Sequence, residues 1–180
     1  MIIYTIGHST RSLDEFLSLL RAHGIRSLVD VRRFPGSRRC PHFGAAALPE
    51  PLGAAGIRYR HEPMLGGRRT PVAGSPNGAW RSASLRGYAD HMGSQECRDA
   101  LERLLAEGAD LATVLMCAEA VPWRCHRQLL ADALVARGSE VRHILDAGRS
   151  RPHVLHPAAR VGPGKTVSYP SPVVPPGAPP

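Results

Sequence analysis

The sequence predicts an α/β domain built on a mostly parallel, five-stranded sheet flanked by helices. Three observations predict it. Five short apolar runs are spread along the first 145 residues, several of them apolar on both alternations, as strands covered on two faces are. Segments of helical period with readable start and stop signals lie between them. Strands and helices alternate, which favours a parallel sheet between helical layers over a sandwich or a bundle.

Taken in order, residues 2–6 form the first strand. Ser12 with Glu15 three positions later has the spacing of a capping box, Leu13, Phe16, Leu17 and Leu20 fall on one helical stripe, and Gly24 supplies the stop. Residues 27–31 and 57–61 are the second and third strands. Ser94 caps a helix whose stripe is Cys97, Leu101, Leu104 and Leu105 and which ends at Gly108. Residues 111–116 are the fourth strand. A third helix follows Pro122, with Leu129, Leu130, Ala133 and Leu134 inward and Gly138 at its end, and residues 141–145 close the series. Residues 32–56 and 62–82, rich in Gly, Pro and Arg, read as long loops, and loops of that length usually carry function or lack order. Nine of the 17 prolines lie in the last 29 residues. The compact domain is therefore expected to span residues 1–149, with 150–180 a Pro-rich, disordered tail.

The chain has 180 residues, 23 basic and 15 acidic side chains, a net charge of +8 and a pI near 10.2. Lys165 is its single lysine. Residues 21–86 hold 12 arginines against Asp30, Glu50 and Glu62, an excess of nine that exceeds the whole chain's net charge. A basic face toward phosphates fits that clustering, as does a solvated arginine-rich surface. No apolar run approaches 18 residues and the first residues lack the pattern of an export signal, so a cytoplasmic protein without membrane contact is expected. The four cysteines then read as reduced thiols or ligands, not a disulfide frame.

In an open parallel sheet, ligands bind beyond the carboxyl ends of the strands. Four such segments carry reactive or glycine residues: Gly7-His8-Ser9-Thr10, Asp30-Val31-Arg32 running on through Pro35 to Ser37-Arg38, Leu65-Gly66-Gly67, and Cys117-Ala118-Glu119 leading to Cys125-His126-Arg127. Their convergence on one edge predicts a site there. Glu119, His8, Asp30 and Cys117 are the candidate catalytic residues. Arg32, Ser37, Arg38, Gly66, His126 and Arg127 are the candidate substrate contacts, the arginines offering planar forks for phosphate or carboxylate. Cys117, where a strand runs toward a helix N-terminus, reads either as an activated thiol or as a buried packing residue.

Together with Tyr4-Thr5-Ile6 and His143-Ile144, these motifs resemble the bacterial family catalogued as domain of unknown function 488, over residues 1 to about 146. The resemblance implies a compact α/β domain and marks the matched polar residues as the site; it implies no reaction. The strand ending Asp-Val-Arg is also similar to one in rhodanese-like sulfurtransferases, but the loop from Cys117 to Arg124 lacks the glycines that let several amides face one anion. No Walker loop, dinucleotide fingerprint or nucleophile elbow occurs.

The leading expectation is an enzyme using general acid/base chemistry on a phosphorylated, nucleotide-like or nucleic-acid substrate. The alternatives are a non-catalytic nucleic-acid-binding module and a thiol-dependent or metal-binding redox or sulfur-transfer protein. No cofactor is implied outright. A metal on Cys117, Cys125 and His126 is the subordinate alternative, because Cys-x7-Cys-His is not a familiar zinc spacing. Oligomeric state is left open.

Overall fold

A computed structural model describes residues 1–36 and 39–172. Its main sheet has six strands, β1 (Ile2–Gly7), β2 (Ser27–Asp30), β3 (Arg58–His61), β4 (Thr113–Cys117), β5 (Glu140–Ile144) and β6 (Ser150–Pro152), in the order β3-β2-β4-β1-β5-β6. All neighbours are parallel except β5 and β6. The helices are α1 (Leu13–Ala22), α2 (Pro49–Ala54), α3 (Ala83–His91), α4 (Gln95–Gly108) and α5 (Arg127–Ala136). The expected α/β class and mostly parallel sheet are what the chain adopts, with one antiparallel strand more than expected.

Alternation along the strands sorts side chains into two cores. Ile6, Leu28, Val114 and Met116 pack against Phe16, Leu17 and Leu20 of α1 and Leu52 of α2. Ile3, Val29, Leu115 and Val141 face the other way, onto Tyr88 of α3, Leu101 and Leu104 of α4 and Leu129, Leu130 and Leu134 of α5. Each fully buried side chain of this size contributes about 1.5–3 kcal/mol. The Ser12 box forms with both reciprocal bonds, and Ser94 caps α4 through the Cys97 amide. Helices α2 and α3 fall where no helical stripe was legible. The first is six residues with two prolines, and Gly87 interrupts the second, where it faces the backbone of residues 69–71 with no room for a Cβ.

The chain leaves β1 and β2 through helices on one face of the sheet and leaves β4 through α5 on the other. Because β4 lies between β1 and β2, its carboxyl end is where the connections part, the position at which such sheets open a crevice. Parallel register sets Gly7 beside Cys117 and Asp30 beside Met116 at that edge.

The expected boundary at 149 needs correction. Residues 150–172 belong to the fold: β6 pairs with β5, and β7 (Arg160–Val161) pairs with β8 (Val167–Ser168). Tyr169 is fully buried, its hydroxyl donating to Asp132 at 2.7 Å, its amide to Asn77 at 2.8 Å, and its carbonyl accepting from Ala79. Trp80 packs against Tyr169 and His156. Proline density signalled disorder, but apolar Val167 and Tyr169 have a waiting core, and extended backbone suits proline. Residues 173–180 of the expected tail lie outside the described residues. No helix among the described residues is long and apolar enough to cross a membrane.

Candidate functional site

The loop after β4 is fastened from two sides. The amides of His8 and Ser9 donate to the carbonyls of Cys117 and Ala118 at 2.9 and 3.0 Å, and a Cβ on Gly7 would run into the Glu119 carbonyl. Arg127, in the first turn of α5, is buried. Its guanidinium donates to the carbonyls of Glu119 and Ala120 and to the Thr5 hydroxyl, and its Nε has no partner among the described residues. The fork expected to hold substrate instead clamps the loop that carries Glu119.

At the floor of the crevice, Cys117 ends β4, Cys125 follows a single 3-10 turn (Pro122–Arg124), and His126 caps α5. Nε2 of His126 donates to the Val31 carbonyl at 3.0 Å, so Nδ1 of the neutral ring carries the lone pair. It lies 3.5 Å from the Cys125 sulfur and 4.0 Å from the Cys117 sulfur. Tyr88 meets the ring edge-on, and a Cβ on Gly67 would come within 2.7 Å of Nδ1, so only glycine leaves this side of the ring uncovered. The hydrogen bond from Cys117 holds Cys125 down to about 6 against its burial, helped by the Arg127 charge and amide; the same bond and burial push Cys117 up to about 12.

Three other expected site residues are drawn into a separate, closed network. Arg32 donates from Nε and Nη2 to the two carboxylate oxygens of Asp30 at 2.8 and 2.5 Å, from Nη2 to the Phe43 carbonyl, and from Nη1 to Nε2 of His8 at 3.2 Å. Nδ1 of His8 donates to the Ser9 carbonyl, the ring stacks on Phe43, and burial lowers its pKa to about 4. Tyr59 donates to Asp30 at 3.0 Å. Asp30 is fully buried and Arg32 is 6% exposed, so the pair neutralises itself within the fold. Gly66 is a packing position, since a Cβ there would lie 2.7 Å from the Arg33 amide. Ser37 and Arg38 lie outside the described residues.

The crevice itself is a cavity of about 580 Å³, with Cys117, Cys125, His126 and the exposed Glu119 in its lining. Arg33, Arg68 and Arg124 also line it, all exposed and none in an ion pair among the described residues. These three were not singled out in sequence, although the arginine excess of residues 21–86 contains two of them. Arg33 reaches the Arg68 carbonyl at 2.9 Å and lies over the Phe34 ring.

The protein-family model described as "domain of unknown function DUF488" matches residues 12–134, more than half of the chain. The chain belongs to this family. No curated protein and no solved structure is found to match it. The DUF488 match includes β2, β4, the start of α5 and therefore Asp30, Arg32, Gly66, Cys117, Glu119, Cys125, His126 and Arg127, but it leaves out the central strand β1 with His8.

Also unforeseen was a polar chain beneath α5. With neutral rings it runs one way: Arg127 to the Thr5 hydroxyl, Thr5 to Nδ1 of His143 at 2.7 Å, His143 to His153 at 3.0 Å, and His153 to Asp132 at 2.8 Å. Its sequence signal is Asp132, an acid inside the otherwise apolar run of α5.

Proposed function

We propose that this domain is an enzyme whose crevice at the end of β4 binds a phosphate-bearing or otherwise anionic substrate, with Glu119 as its general acid/base. The observation that carries the reading is the lining of the cavity: three exposed arginines without ion pairs among the described residues, against one carboxylate. Unneutralised guanidinium groups in a concave site focus positive potential and present paired donors to phosphate oxygens. Glu119 stands on a loop whose carbonyls Arg127 grips, so its carboxylate is presented from a fixed backbone. His8 holds the start of that loop through its backbone amide, Asp30 and Arg32 are spent on one another, and the chemistry is left to Glu119 and the cavity floor. A reducing cytoplasm suits the free thiols of Cys97, Cys117 and Cys125.

Titration calorimetry with orthophosphate, nucleoside monophosphates and a short single-stranded oligonucleotide tests the reading. Arg68→Ala and Arg124→Ala are each expected to weaken the bound anion about tenfold, or 1.4 kcal/mol. Wild-type affinity in both variants, or no anion bound by the wild type, overturns it. Oligonucleotide binding with a steep salt dependence and no binding of the small anions would assign the surface to a nucleic-acid-binding module instead.

A further inference from the structure

We infer that Cys117, Cys125 and His126 form a binding site for a divalent transition metal, zinc foremost, with one coordination position open to the crevice. The three ligand atoms lie within 4.8 Å of one another and all three residues are buried. Around a tetrahedral zinc with Zn–S about 2.3 Å and Zn–N about 2.0–2.1 Å, a sulfur and a nitrogen ligand stand about 3.6 Å apart. The separations from His126 Nδ1, 3.5 and 4.0 Å, bracket that value.

The support around the set fits the same chemistry. A metal-bound imidazole normally fixes its other N–H on a carbonyl or carboxylate, and here Nε2 donates to the Val31 carbonyl, which leaves Nδ1 aimed at the sulfurs. The ligands come from the end of β4, the close of a 3-10 turn and the cap of α5, so their spacing is set by packed elements. A Cβ at position 67 would cover Nδ1, and glycine stands there. Two thiolates and an imidazole make a soft-to-borderline donor set that favours zinc over magnesium or calcium.

Other groups do not complete the shell. His8 cannot join, since its Nε2 accepts from Arg32 and its Nδ1 serves the Ser9 carbonyl. Glu119, on the exposed loop, is not among the converging ligand atoms. Three protein ligands with a fourth position on a cavity is the arrangement of catalytic zinc, whereas structural zinc is closed by four. The unfamiliar Cys-x7-Cys-His spacing arises because the set is assembled across a sheet edge instead of within one knuckle.

The inference stands apart from the proposed anion site, and the experiment keeps the two separable. The full chain, reduced and stripped with chelator, is titrated with cobalt(II) as the optical probe and then with zinc. Expected are thiolate-to-cobalt charge-transfer bands and visible bands of tetrahedral intensity, saturating at one equivalent and abolished by zinc. Cys117→Ser and His126→Ala should each lower cobalt affinity at least tenfold, while Cys97→Ala, on the buried face of α4, keeps it. Should a ligand variant fail to fold, alkylation of the wild type read by mass spectrometry decides: zinc is expected to protect Cys117 and Cys125. Absence of the charge-transfer bands, wild-type cobalt affinity in both Cys117→Ser and His126→Ala, or equal labelling with and without zinc overturns the site and leaves a hydrogen-bonded thiol pair. Phosphate titration of the metal-free protein reads the arginines alone.

Discussion

Two polar clusters flank the carboxyl end of β4, and they are built from similar residue types to opposite ends. On the α1 side, Asp30, Arg32, His8 and Tyr59 spend their hydrogen-bonding capacity on one another and on the Phe43 and Ser9 carbonyls. On the α5 side, Arg33, Arg68, Arg124 and Glu119 face the cavity without an ion pair among the described residues, above two thiols and an imidazole lone pair. A buried charge must be matched by its neighbours, whereas a charge kept in water has capacity left for a ligand. The contrast separates groups that hold the edge of the sheet from groups able to act on something else.

The largest expected effect breaks the closed side. Asp30→Ala leaves the Arg32 guanidinium buried without its counter-charge and should destabilise the protein by about 3–5 kcal/mol, read as a shifted urea midpoint. A loss under about 1 kcal/mol would mean that the network is not structural.

Acid should find the same side. His8 takes a proton near 6.5 when unfolded but only near 4 in the fold, because burial penalises its charged form. Between those values the unfolded chain binds more protons, so the His8 contribution makes stability fall as pH drops through that window and level off below about 4. His8→Gln is expected to flatten that limb of a stability-against-pH curve; an unchanged slope would point to other groups.

The smallest effect belongs to the open side. Arg124→Ala should change stability by no more than about 0.5 kcal/mol, the usual range for exposed positions, while weakening anion binding. A larger shift in the urea midpoint would show that Arg124 is a structural residue and erase the distinction.

Local signals in the sequence carried much of this fold. Ser12 and Glu15 mark the start of α1 because a capping box is complete within four residues, and the stripes of α1, α4 and α5 repeat within two turns. The gathering of polar residues at the strand ends was legible for the same reason. Their division of labour was not. Asp30 and Arg32 sit two residues apart at a strand end and turn to the same side, but their partners His8, Phe43 and Tyr59 come from three other segments. Tyr169 meets Asp132 across 37 positions, so nothing periodic announces it inside a proline-rich stretch. The Cys117, Cys125 and His126 set hides likewise, since a strand end, a turn and a helix cap bring it together and no single motif spells it.

Trp80 and Trp123 are the chain's two tryptophans, and they divide between the regions that matter. Trp80 is 9% exposed between His156 and Tyr169, while Trp123 is 55% exposed in the lining of the crevice. Their fluorescence therefore forms a two-channel gauge. Collisional quenching by iodide samples the mouth of the crevice through Trp123, and the blue-shifted emission of Trp80 records whether the C-terminal strap is seated, so each event can be followed in the native chain without a label.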